Sequence, residues 1–552
     1  MKIFSVNKNI ATIPLFLLAF VNICAQQLKV AYSQRWGLAH LSYKGISLLD
    51  ISSKKGEPIS LQAFYYSNSK KKISAEWSHI SGTHWDEQNK IYTVDCRWGS
   101  LMCKYTQSAD TLFFNITFVN KTQTDTFYGV NFFPIVLSLD KRPSNFRPQY
   151  PYYSNNIKSL KLIAADLDSY KILLESTDIN EHSYLGFLEE SNTDGKNYYV
   201  WSSNQPFIGM TDFDNRSAIR LAPGKSYSYS FAMKFLSNSI SLRTSAAASV
   251  ARFTAKNPSV LKWRDRRPIG VAMLSSYNES ISNRDNPRRW TMADNHIDNS
   301  PAGKLAFRRK LMDYADGSIA ILQKTNAQGA ITWDIEGQQY PHPLSYIGSP
   351  DLLSELAPEM NELADEYFQR FTKKGLKTGI CIRPDSVVFN KEKNWIAHVA
   401  VKDPAATMIR KIAYARKRWG CSLFYVDSNV DPSGQPMDPV FFQTVEKKYP
   451  DVLLIPEHES LLYYACAAPY GEFQSKEYTV SSEIKQIYPD AFMVLMTSGF
   501  PRESTAEQQR NILKESAAAG NILLFRCWYN DEPVSSMLKS IYQNSTGGAV
   551  RH

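Results

Sequence analysis

"GCSLFYVDSNV", residues 420–430, carries the clearest signal of the fold. Its apolar run is uninterrupted and ends abruptly at Asp427, which is followed by Ser428 and Asn429. A run that is apolar on both faces is typical of a strand in a parallel sheet with helices covering both sides. A polar residue directly after such a strand lies at the edge of the sheet, where α/β proteins bind their ligands.

The same type of run recurs along the second half of the chain and predicts a (β/α)8 barrel. Helical stretches separate the runs. Asp403 and Pro404 can begin one helix that Gly420 ends, and Ser504 with Glu507 has the pattern of a capping box. Eight strand–helix units in about 280 residues match the size and order of a TIM barrel. The predicted strands are 268–275, 329–334, 377–383, 421–427, 451–456, 466–470, 491–497 and 521–526, of which the sixth is the weakest.

The chain before the barrel has the period of antiparallel strands. "TLFFNITF", residues 111–118, places large apolar side chains at every second position, and similar runs are separated by turn-forming residues. The sequence therefore predicts a multidomain protein. An N-terminal antiparallel β-sandwich, 26–236, is followed through a linker, 237–266, by a TIM-barrel catalytic domain, 267–545.

The N-terminus predicts export. Two lysines precede an apolar run at 13–21 that is too short to span a bilayer, and Ala25 is a small residue at a suitable cleavage point. Residues 1–25 are therefore predicted to be a cleaved signal peptide, and the protein to be periplasmic or extracellular. Lipidation at Cys24 is less favoured, because the residue before it is not small. No other segment is apolar enough to cross a membrane.

Charge and cysteine usage exclude several classes of protein. The formal net charge of +10 is spread thinly along the chain, so nucleic acid is not indicated, whereas an acidic glycan would be compatible. The seven cysteines form no C-x-x-C pattern, and no His-x-x-x-His spacing occurs, so neither a structural zinc site nor another cofactor is predicted. The sequence specifies no oligomeric state.

Charged and aromatic residues recur where five of the predicted barrel strands end. Active sites of TIM barrels lie at that face. A single acid there can simply shape a turn, but burying several like charges together costs stability, so the combination predicts a site. The residues are Asp334, Glu336, Arg383, Asp385, Asp427, Glu457, His458, Glu459, Arg526 and Trp528.

Paired carboxylates predict glycoside hydrolysis, in which one acid attacks the sugar or activates water and the other protonates the leaving oxygen. Adjacent barrel strands can bring strand-end acids to the required separation. The predicted strands four and five are neighbours of this kind, so Asp427 and a glutamate of strand five are natural partners.

The layout of residues 27–545, with these two strand ends, resembles that of secreted α-glycoside hydrolases. In α-amylase-type enzymes and endo-α-N-acetylgalactosaminidases, the strand-four Asp is the nucleophile and the strand-five Glu the acid/base. α-Galactosidases and α-glucosidases share the strand-four Asp but take their acid from strand six. The resemblance implies a retaining, α-specific enzyme with Asp427 as nucleophile and Glu457 or Glu459 as acid/base. Tyr425 stands where α-amylases carry an arginine, so the chain departs from that family.

The other strand-end residues would then bind substrate. Asp334, Glu336, Arg383, Asp385, His458 and Arg526 are expected to contact hydroxyl or charged groups, and Trp528 and Trp290 to stack on sugar rings. Trp290 belongs to a long polar stretch, 276–300. With Arg284, Arg288 and Arg289, that stretch either binds an acidic substituent or is a solvated loop.

Two other functions stay open at the level of sequence. One is a glycan-binding or surface-assembly protein whose barrel has lost catalysis. The other is a metal-dependent deacetylase or similar barrel enzyme, which the scarcity of histidine near the strand ends disfavours. "DSNVDPSG", 427–434, resembles a calcium loop, but Pro432 replaces the glycine on which an EF-hand loop turns. Only a loosely bound Ca2+ is compatible with it.

Overall fold

The structure, a computed structural model, describes most of the chain after the predicted signal peptide. That peptide and Cys24 lie outside the described residues, and so do Pro432 and its neighbours. The described residues are 27–50, 60–67, 72–137, 148–149, 152, 160–167, 169–177, 184–192, 195–203, 220–276, 278, 283–293, 296–341, 344, 346–390, 395–430, 436–473, 479–500, 503–529 and 531–543.

The first part of the chain forms antiparallel sheets. In chain order the strands are β1 Leu28–Ser33, β2 Gly37–Tyr43, β3 Ile46–Asp50, β4 Ser60–Ser67, β5 Lys72–Trp77, β6 Ile80–Asp86, β7 Ile91–Cys96, β8 Gly99–Ser108, β9 Thr111–Asn120, β10 Thr126–Leu137, β11 Pro148–Gln149, β12 Leu162–Asp166, β13 Tyr170–Ser176, β14 Tyr184–Asn192, β15 Gly195–Ser203 and β16 Ser226–Ser237. They build a sheet of order β1-β2-β3, a second of order β14-β15-β10-β4-β5, and a third of order β11-β12-β13-β16-β9-β8-β7-β6.

One apolar core lies between these three sheets. Leu112, Phe114, Ile116 and Phe118 of β9 all point into it, as the alternation of the sequence predicts. Phe114 stacks on Phe231 of β16, with ring centroids 4.4 Å apart. The predicted antiparallel fold of this part is confirmed.

A helix and an extended segment lead from the sheets to the barrel. Helix α1, Leu242–Lys256, is N-capped by Ser241, whose hydroxyl accepts a hydrogen bond from the Thr244 amide. The chain then runs extended, and the amide of Val260 donates to the carbonyl of Ala465, at 2.7 Å.

The second part is the predicted TIM barrel. Its strands are β17 Ile269–Met273, β18 Gly329–Trp333, β19 Lys377–Ile382, β22 Leu423–Val426, β23 Leu453–Pro456, β24 Tyr470–Glu472, β25 Val494–Met496 and β26 Ile522–Arg526. All are parallel, in the order β23-β22-β19-β18-β17-β26-β25-β24. The seam between β23 and β24 lacks ladder pairing in the described residues, where the Ala468 amide donates to the Leu454 carbonyl at 3.0 Å. A hairpin, β20 Ser386–Asn390 and β21 Trp395–Val399, follows β19.

Helices surround these strands. They are α2 Pro301–Lys324, α3 Leu353–Leu356, α4 Pro358–Asn361, α5 Ala364–Lys373, α6 Pro404–Trp419, α7 Pro439–Lys448, α8 Ser482–Ile487, α9 Ala506–Ala518 and α10 Glu532–Gln543, with 3-10 turns at Thr291–Ala293, Pro350–Leu352 and Leu461–Ala465. Helix α6 begins after Asp403 and ends at Gly420 in the left-handed conformation, as predicted. Within the described part of the chain, no helix is both long and apolar enough to cross a bilayer.

Two local predictions need correction. The sixth strand was expected at 466–470, but it is β24, because Leu461–Ala465 form a 3-10 helix and delay the strand. The capping box belongs to Thr505 and Gln508 rather than Ser504 and Glu507. The Thr505 hydroxyl accepts the Gln508 amide at 3.2 Å, and the Gln508 side chain accepts the Thr505 amide at 2.8 Å.

Aromatic side chains close the top of the barrel interior. Trp333 and Tyr425 are buried at the ends of β18 and β22, with ring centroids 5.0 Å apart. Tyr470 of β24 contacts Tyr425 edge-on at 5.4 Å, and Tyr346 contacts Trp333 at 5.5 Å. These rings form a packed layer beneath the strand ends, so polar groups above it are separated from the barrel core.

Candidate active site

Asp427 and Glu457 lie at the same level on neighbouring strands. The parallel ladder continues one residue beyond each strand. The Asp427 amide donates to the Ile382 carbonyl at 3.0 Å, and the Glu457 amide donates to the Val426 carbonyl at 3.1 Å. Regular pairing therefore fixes the main chain of both acids at the C-terminal rim of the barrel, where TIM barrels carry out chemistry.

Ser428 connects the two carboxylates. Its amide donates to Glu457 Oε2 at 2.8 Å, and its hydroxyl donates to Asp427 Oδ2 at 3.2 Å. Its φ of 50° lies in the left-handed region, which costs a residue with a Cβ about 1–2 kcal/mol. Strained backbone of this kind is concentrated at functional sites. No role for Ser428 was predicted, because a serine after a strand gives no sign of its φ in the sequence.

Asn429 joins the main chains that follow β22 and β23. Its Oδ1 accepts the His458 amide at 2.8 Å, and its Nδ2 donates to the His458 carbonyl at 3.2 Å. The side chain is fully buried. It therefore joins the loop after β22 to the loop after β23.

Arg383 lies between two acids at the rim. Its Nε is 3.2 Å from Asp427 Oδ2 and 3.7 Å from Asp385 Oδ2, and its guanidinium also donates to the Ser428 hydroxyl. Asp385 in turn contacts His398 Nδ1 of the hairpin at 3.2 Å. The end of β19 thus supplies a cation that faces the candidate nucleophile.

Burial and neighbouring charges set the ionisation of Asp427. Only 5% of the residue is exposed. Burial raises the pKa of Asp427 to about 7, against the opposing effect of Arg383, while the charge of Glu457 raises this pKa further. The Glu457 side chain is 33% exposed. The two neighbouring carboxylates therefore differ in their exposure to solvent.

The two acids after β18 are buried and bonded to the protein itself. Asp334 accepts the Ser275 hydroxyl at 2.7 Å and the Tyr346 amide at 3.1 Å. Glu336 accepts the Ser349 amide at 2.7 Å. Burial raises the pKa of Asp334 to about 6 and that of Glu336 to about 7. Both side chains hold the loop after β18 in place.

The predicted residues after β23 differ in their surroundings. His458 is 43% exposed, and its Nδ1 lies 3.5 Å from Glu457 Oε2. Glu459 is exposed, and its Oε1 accepts the Tyr464 hydroxyl at 2.8 Å. The structure therefore brings Glu457, rather than Glu459, into contact with the Ser428 clamp.

Arg526 and Trp528 lie across the barrel from Asp427, because β26 and β22 are four strands apart in the sheet. Arg526 is exposed, and its guanidinium lies 5.6 Å from the centroid of the Trp528 ring. Trp528 also contacts Tyr529 edge-on, at 5.5 Å. This cluster is distant in sheet order from the carboxylate pair but occupies the same face of the barrel.

The stacking role predicted for Trp290 is wrong. Trp290 has no exposed surface, because its Nε1 donates to Glu359 at 2.8 Å and its main chain is bonded to Asn286. Arg288 donates to the Leu356 carbonyl at 2.8 Å. These residues of the stretch 276–300 fasten it to the barrel instead of presenting it to a ligand.

Glu472 is an acid at the rim that was not predicted from the sequence. It ends β24, is exposed, and accepts the Tyr470 hydroxyl at 2.8 Å. The Tyr470 ring contacts Tyr425, whose neighbours include Glu457 and Asp427. The acid was overlooked because the sixth strand was predicted to end before it.

Among the described residues, no three His, Cys, Asp or Glu side chains are grouped so that they could hold a metal ion. The acids at the rim are instead paired with Arg383 or bonded to hydroxyl and amide groups.

No protein-family model matches the chain, and no curated protein matches its sequence. The fold is similar to a GH36 α-galactosidase from Geobacillus stearothermophilus in complex with 1-deoxygalactonojirimycin, with 10% identity, a TM-score of 0.39, and coverage of 88% of this chain and 75% of that one. The galactosidase domain of an α-galactosidase-sucrose kinase gives 12% identity, a TM-score of 0.39, and coverage of 94% and 79%. An α-fucosidase from Thermotoga maritima gives 11% identity and a TM-score of 0.28, with coverage of 53% of this chain and 74% of that one. Similarity this low assigns no family and no activity.

Proposed function

We propose that this protein is a retaining, α-specific glycoside hydrolase of oligo- or polysaccharides, with Asp427 as nucleophile and Glu457 as general acid/base. The observation that carries the proposal is the clamp at Ser428, which bonds to both carboxylates at the ends of neighbouring barrel strands. The α-specificity follows from the resemblance of these two strand ends to those of α-glycosidases. The predicted signal peptide implies that the enzyme acts outside the cytoplasm.

The reaction has two balanced steps. In the first, an Asp427 oxygen attacks the anomeric carbon, the bond from that carbon to the leaving oxygen breaks, and Glu457 gives its proton to that oxygen. In the second, water attacks the anomeric carbon, Glu457 takes a proton from the water, and the Asp427 carboxylate departs with its electron pair. The configuration at the anomeric carbon is retained, because it is inverted twice.

Two contacts favour the ionised form of Asp427 against the burial that raises its pKa to about 7. Arg383 and the Ser428 hydroxyl both stabilise the Asp427 anion, which a nucleophile must be. Glu457 is more exposed and can therefore exchange protons with water between the two steps. Tyr425, buried beneath them, limits the access of water from the barrel interior.

The charge at the rim favours an uncharged sugar at the point of cleavage. Asp385, Asp427, Glu457 and Glu472 are all near this point, whereas the facing cation, Arg383, is already paired with two of them. A uronate or sulfated sugar would add a further negative charge and would be repelled. The proposal therefore narrows the sequence-based expectation of a possibly acidic substrate to a neutral sugar at this position.

The test compares the wild type with Asp427→Asn on aryl α- and β-glycosides and on glycan mixtures, with the anomeric form of the released sugar followed by proton NMR. Loss of hydrolysis in the variant, with the α-form released first from α-glycosides, supports the proposal. Full activity in the variant removes Asp427 from the mechanism. Binding of glycans by a wild type that hydrolyses none of them favours a non-catalytic glycan-binding protein.

A further inference from the structure

Helix α6 contributes a lysine that is completely buried beside the candidate site. Lys411 has no exposed surface, and its ammonium group donates to the carbonyl oxygens of Arg383 at 2.9 Å and Asp385 at 2.8 Å. These carbonyls lie directly beyond β19. The lysine therefore binds the main chain of the segment that carries the rim cation.

Burying an ammonium group costs free energy unless hydrogen bonds and opposite charges compensate for it. Burial lowers the pKa of Lys411 to about 8, while the negative charges of Asp385 and Glu336 act in the opposite direction. An apolar side chain would complete the buried face of α6 without that cost. The ammonium group thus has a specific effect on the structure, which is to hold the two carbonyls that follow β19.

The segment held by Lys411 determines where the Arg383 guanidinium lies. The Arg383 amide donates to the Gly348 carbonyl at 3.3 Å, and its carbonyl is bonded to Lys411. With both main-chain groups fixed, the side chain extends toward Asp427, at 3.2 Å from Nε to Oδ2. A shift of this segment would move the cation away from the candidate nucleophile.

We infer that Lys411 is a positioning residue, which fixes the main chain from Arg383 to Asp385 so that the guanidinium pairs with Asp427. As a statement about catalysis the inference rests on the proposed function. The effect of Lys411 on the ionisation of Asp427 does not depend on the proposed function. Among the described residues, Lys411 has no direct contact with Asp427. Its effect on Asp427 is transmitted through Arg383.

The test must separate Lys411 from the other groups that act on Asp427. Those groups, from every strand end that faces it, are Arg383, Glu457, Asp334, Cys381, Tyr425 and the Ser428 hydroxyl. The charged groups around Lys411 are Asp385, Glu336, Arg410 and Arg383. Lys411→Met removes the ammonium group and keeps an unbranched side chain only one atom shorter. Lys417→Met, at an exposed position of the same helix, is the matched control.

With loss of the ammonium group we expect kcat to fall by about tenfold to a hundredfold, because small displacements of catalytic geometry have effects of that size. KM should change much less. The acidic limb of the kcat/KM profile should move to higher pH, since a displaced Arg383 stabilises the Asp427 anion less. Lys417→Met should match the wild type in kcat, in KM and in the pH profile of kcat/KM. A purely structural lysine would lower the folded fraction but would leave the pH profile of the folded enzyme unchanged.

A second measurement does not depend on activity. In protein labelled with 13C at the Asp carboxyl carbon, the Asp427 resonance is assigned by its loss in Asp427→Asn, and its pKa is followed by NMR titration. We expect a higher pKa for Asp427 in Lys411→Met than in the wild type. If Lys411→Met does not fold, Lys411→Gln, which retains one donor group, is measured in the same way.

The outcomes separate the two proposals. A wild type that hydrolyses no glycoside, together with a raised Asp427 pKa in Lys411→Met, overturns the proposed function and supports the positioning role. A wild type that is active, together with an unchanged pH profile and an unchanged Asp427 titration in the variant, overturns the positioning role alone.

Discussion

Arg383 and Asp427 form an ion pair across the ends of β19 and β22, with Nε and Oδ2 3.2 Å apart. The pair lies at the rim of the barrel and is largely shielded from solvent. It stabilises a carboxylate that burial would otherwise keep protonated, because Arg383 lowers the pKa that burial raises. Among the groups that act on Asp427, Arg383 is the one that most favours its ionised form.

Loss of Arg383 should remove most of the activity. For Arg383→Met we expect a decrease of about a hundredfold in kcat/KM, similar to the loss of one strong electrostatic contact in an active site, and an acidic limb displaced to higher pH. Steady-state kinetics across the pH range provide the measurement. Arg264→Gln is the control, since this exposed arginine pairs with Asp490 away from the rim. Equal profiles for Arg383→Met and the wild type would rule out the pairing as a catalytic feature.

The pH dependence should reflect the raised pKa of Asp427. If Asp427 is the nucleophile, kcat/KM falls as pH decreases through about 7, because protonation removes the attacking anion. If Asp427 were instead the general acid, kcat/KM would fall as pH rises through the same value. The direction of this limb thus distinguishes the two roles in a single experiment.

Asp427 should also reduce stability at neutral and basic pH. Its folded pKa is about 7, above the ordinary value of 3.8, so the folded state binds the proton more tightly than the unfolded chain. Stability therefore decreases as pH rises from about 4 through about 7. We expect Asp427→Asn to raise Tm by about 2–4 °C at pH 8, with a smaller effect at pH 5. The same increase at both pH values would contradict this expectation.

The hydroxyl and the backbone of Ser428 can be tested separately. Ser428→Ala and Ser428→Gly both remove the hydroxyl that bonds to Asp427 and keep the amide that bonds to Glu457. We expect the same loss of kcat in both, about tenfold. Glycine adopts a φ of 50° without strain, so Ser428→Gly should be more stable than Ser428→Ala by about 1 kcal/mol. Unequal kcat values would show that the conformation, rather than the hydroxyl, controls activity.

Three glutamates at the rim can be compared as the acid/base. Glu457→Gln should hydrolyse glycosides with poor leaving groups much more slowly than those with activated aryl groups, and added azide should accelerate it by replacing water in the second step. Glu459→Gln and Glu472→Gln should show neither property. Azide rescue of Glu472→Gln instead would assign the acid to the sixth strand.

The charge of the accepted sugar provides a further prediction. We expect aryl hexosides to be hydrolysed at least about tenfold faster than the matching aryl hexuronides, because the acids near Asp427 repel a second carboxylate. The ratio should decrease as salt concentration rises. A preference for hexuronides at low salt would contradict the proposal of a neutral sugar and would direct attention to Arg526.

The barrel could be predicted from sequence because most of its strands are apolar on both faces and end at polar residues. Asp427 and Glu457 were placed at strand ends in this way, and the ladder bonds beyond β22 and β23 show that their main chains lie side by side. The sixth strand has only three residues, too few for any periodicity, so its position was wrong and Glu472 was missed.

Other features depend on tertiary contacts that no local pattern reveals. The polar surroundings of Trp290 in the sequence suggested exposure, but hydrogen bonds to Asn286 and Glu359 allow it to be buried. Lys411 looks like any other helical lysine until its two carbonyl partners are seen. The φ of Ser428 likewise follows from the bonds on both sides of it.

The seam between β23 and β24 is the most weakly paired part of the barrel in the described residues. Every other pair of neighbouring strands is joined by a ladder of hydrogen bonds. In the described residues, this seam has a single main-chain hydrogen bond, from the Ala468 amide to the Leu454 carbonyl. Glu457 stands on the strand that borders the seam. β24 could therefore separate from β23 by breaking one main-chain bond instead of a ladder, while the pairing of β22 with β23 keeps Asp427 and Glu457 side by side.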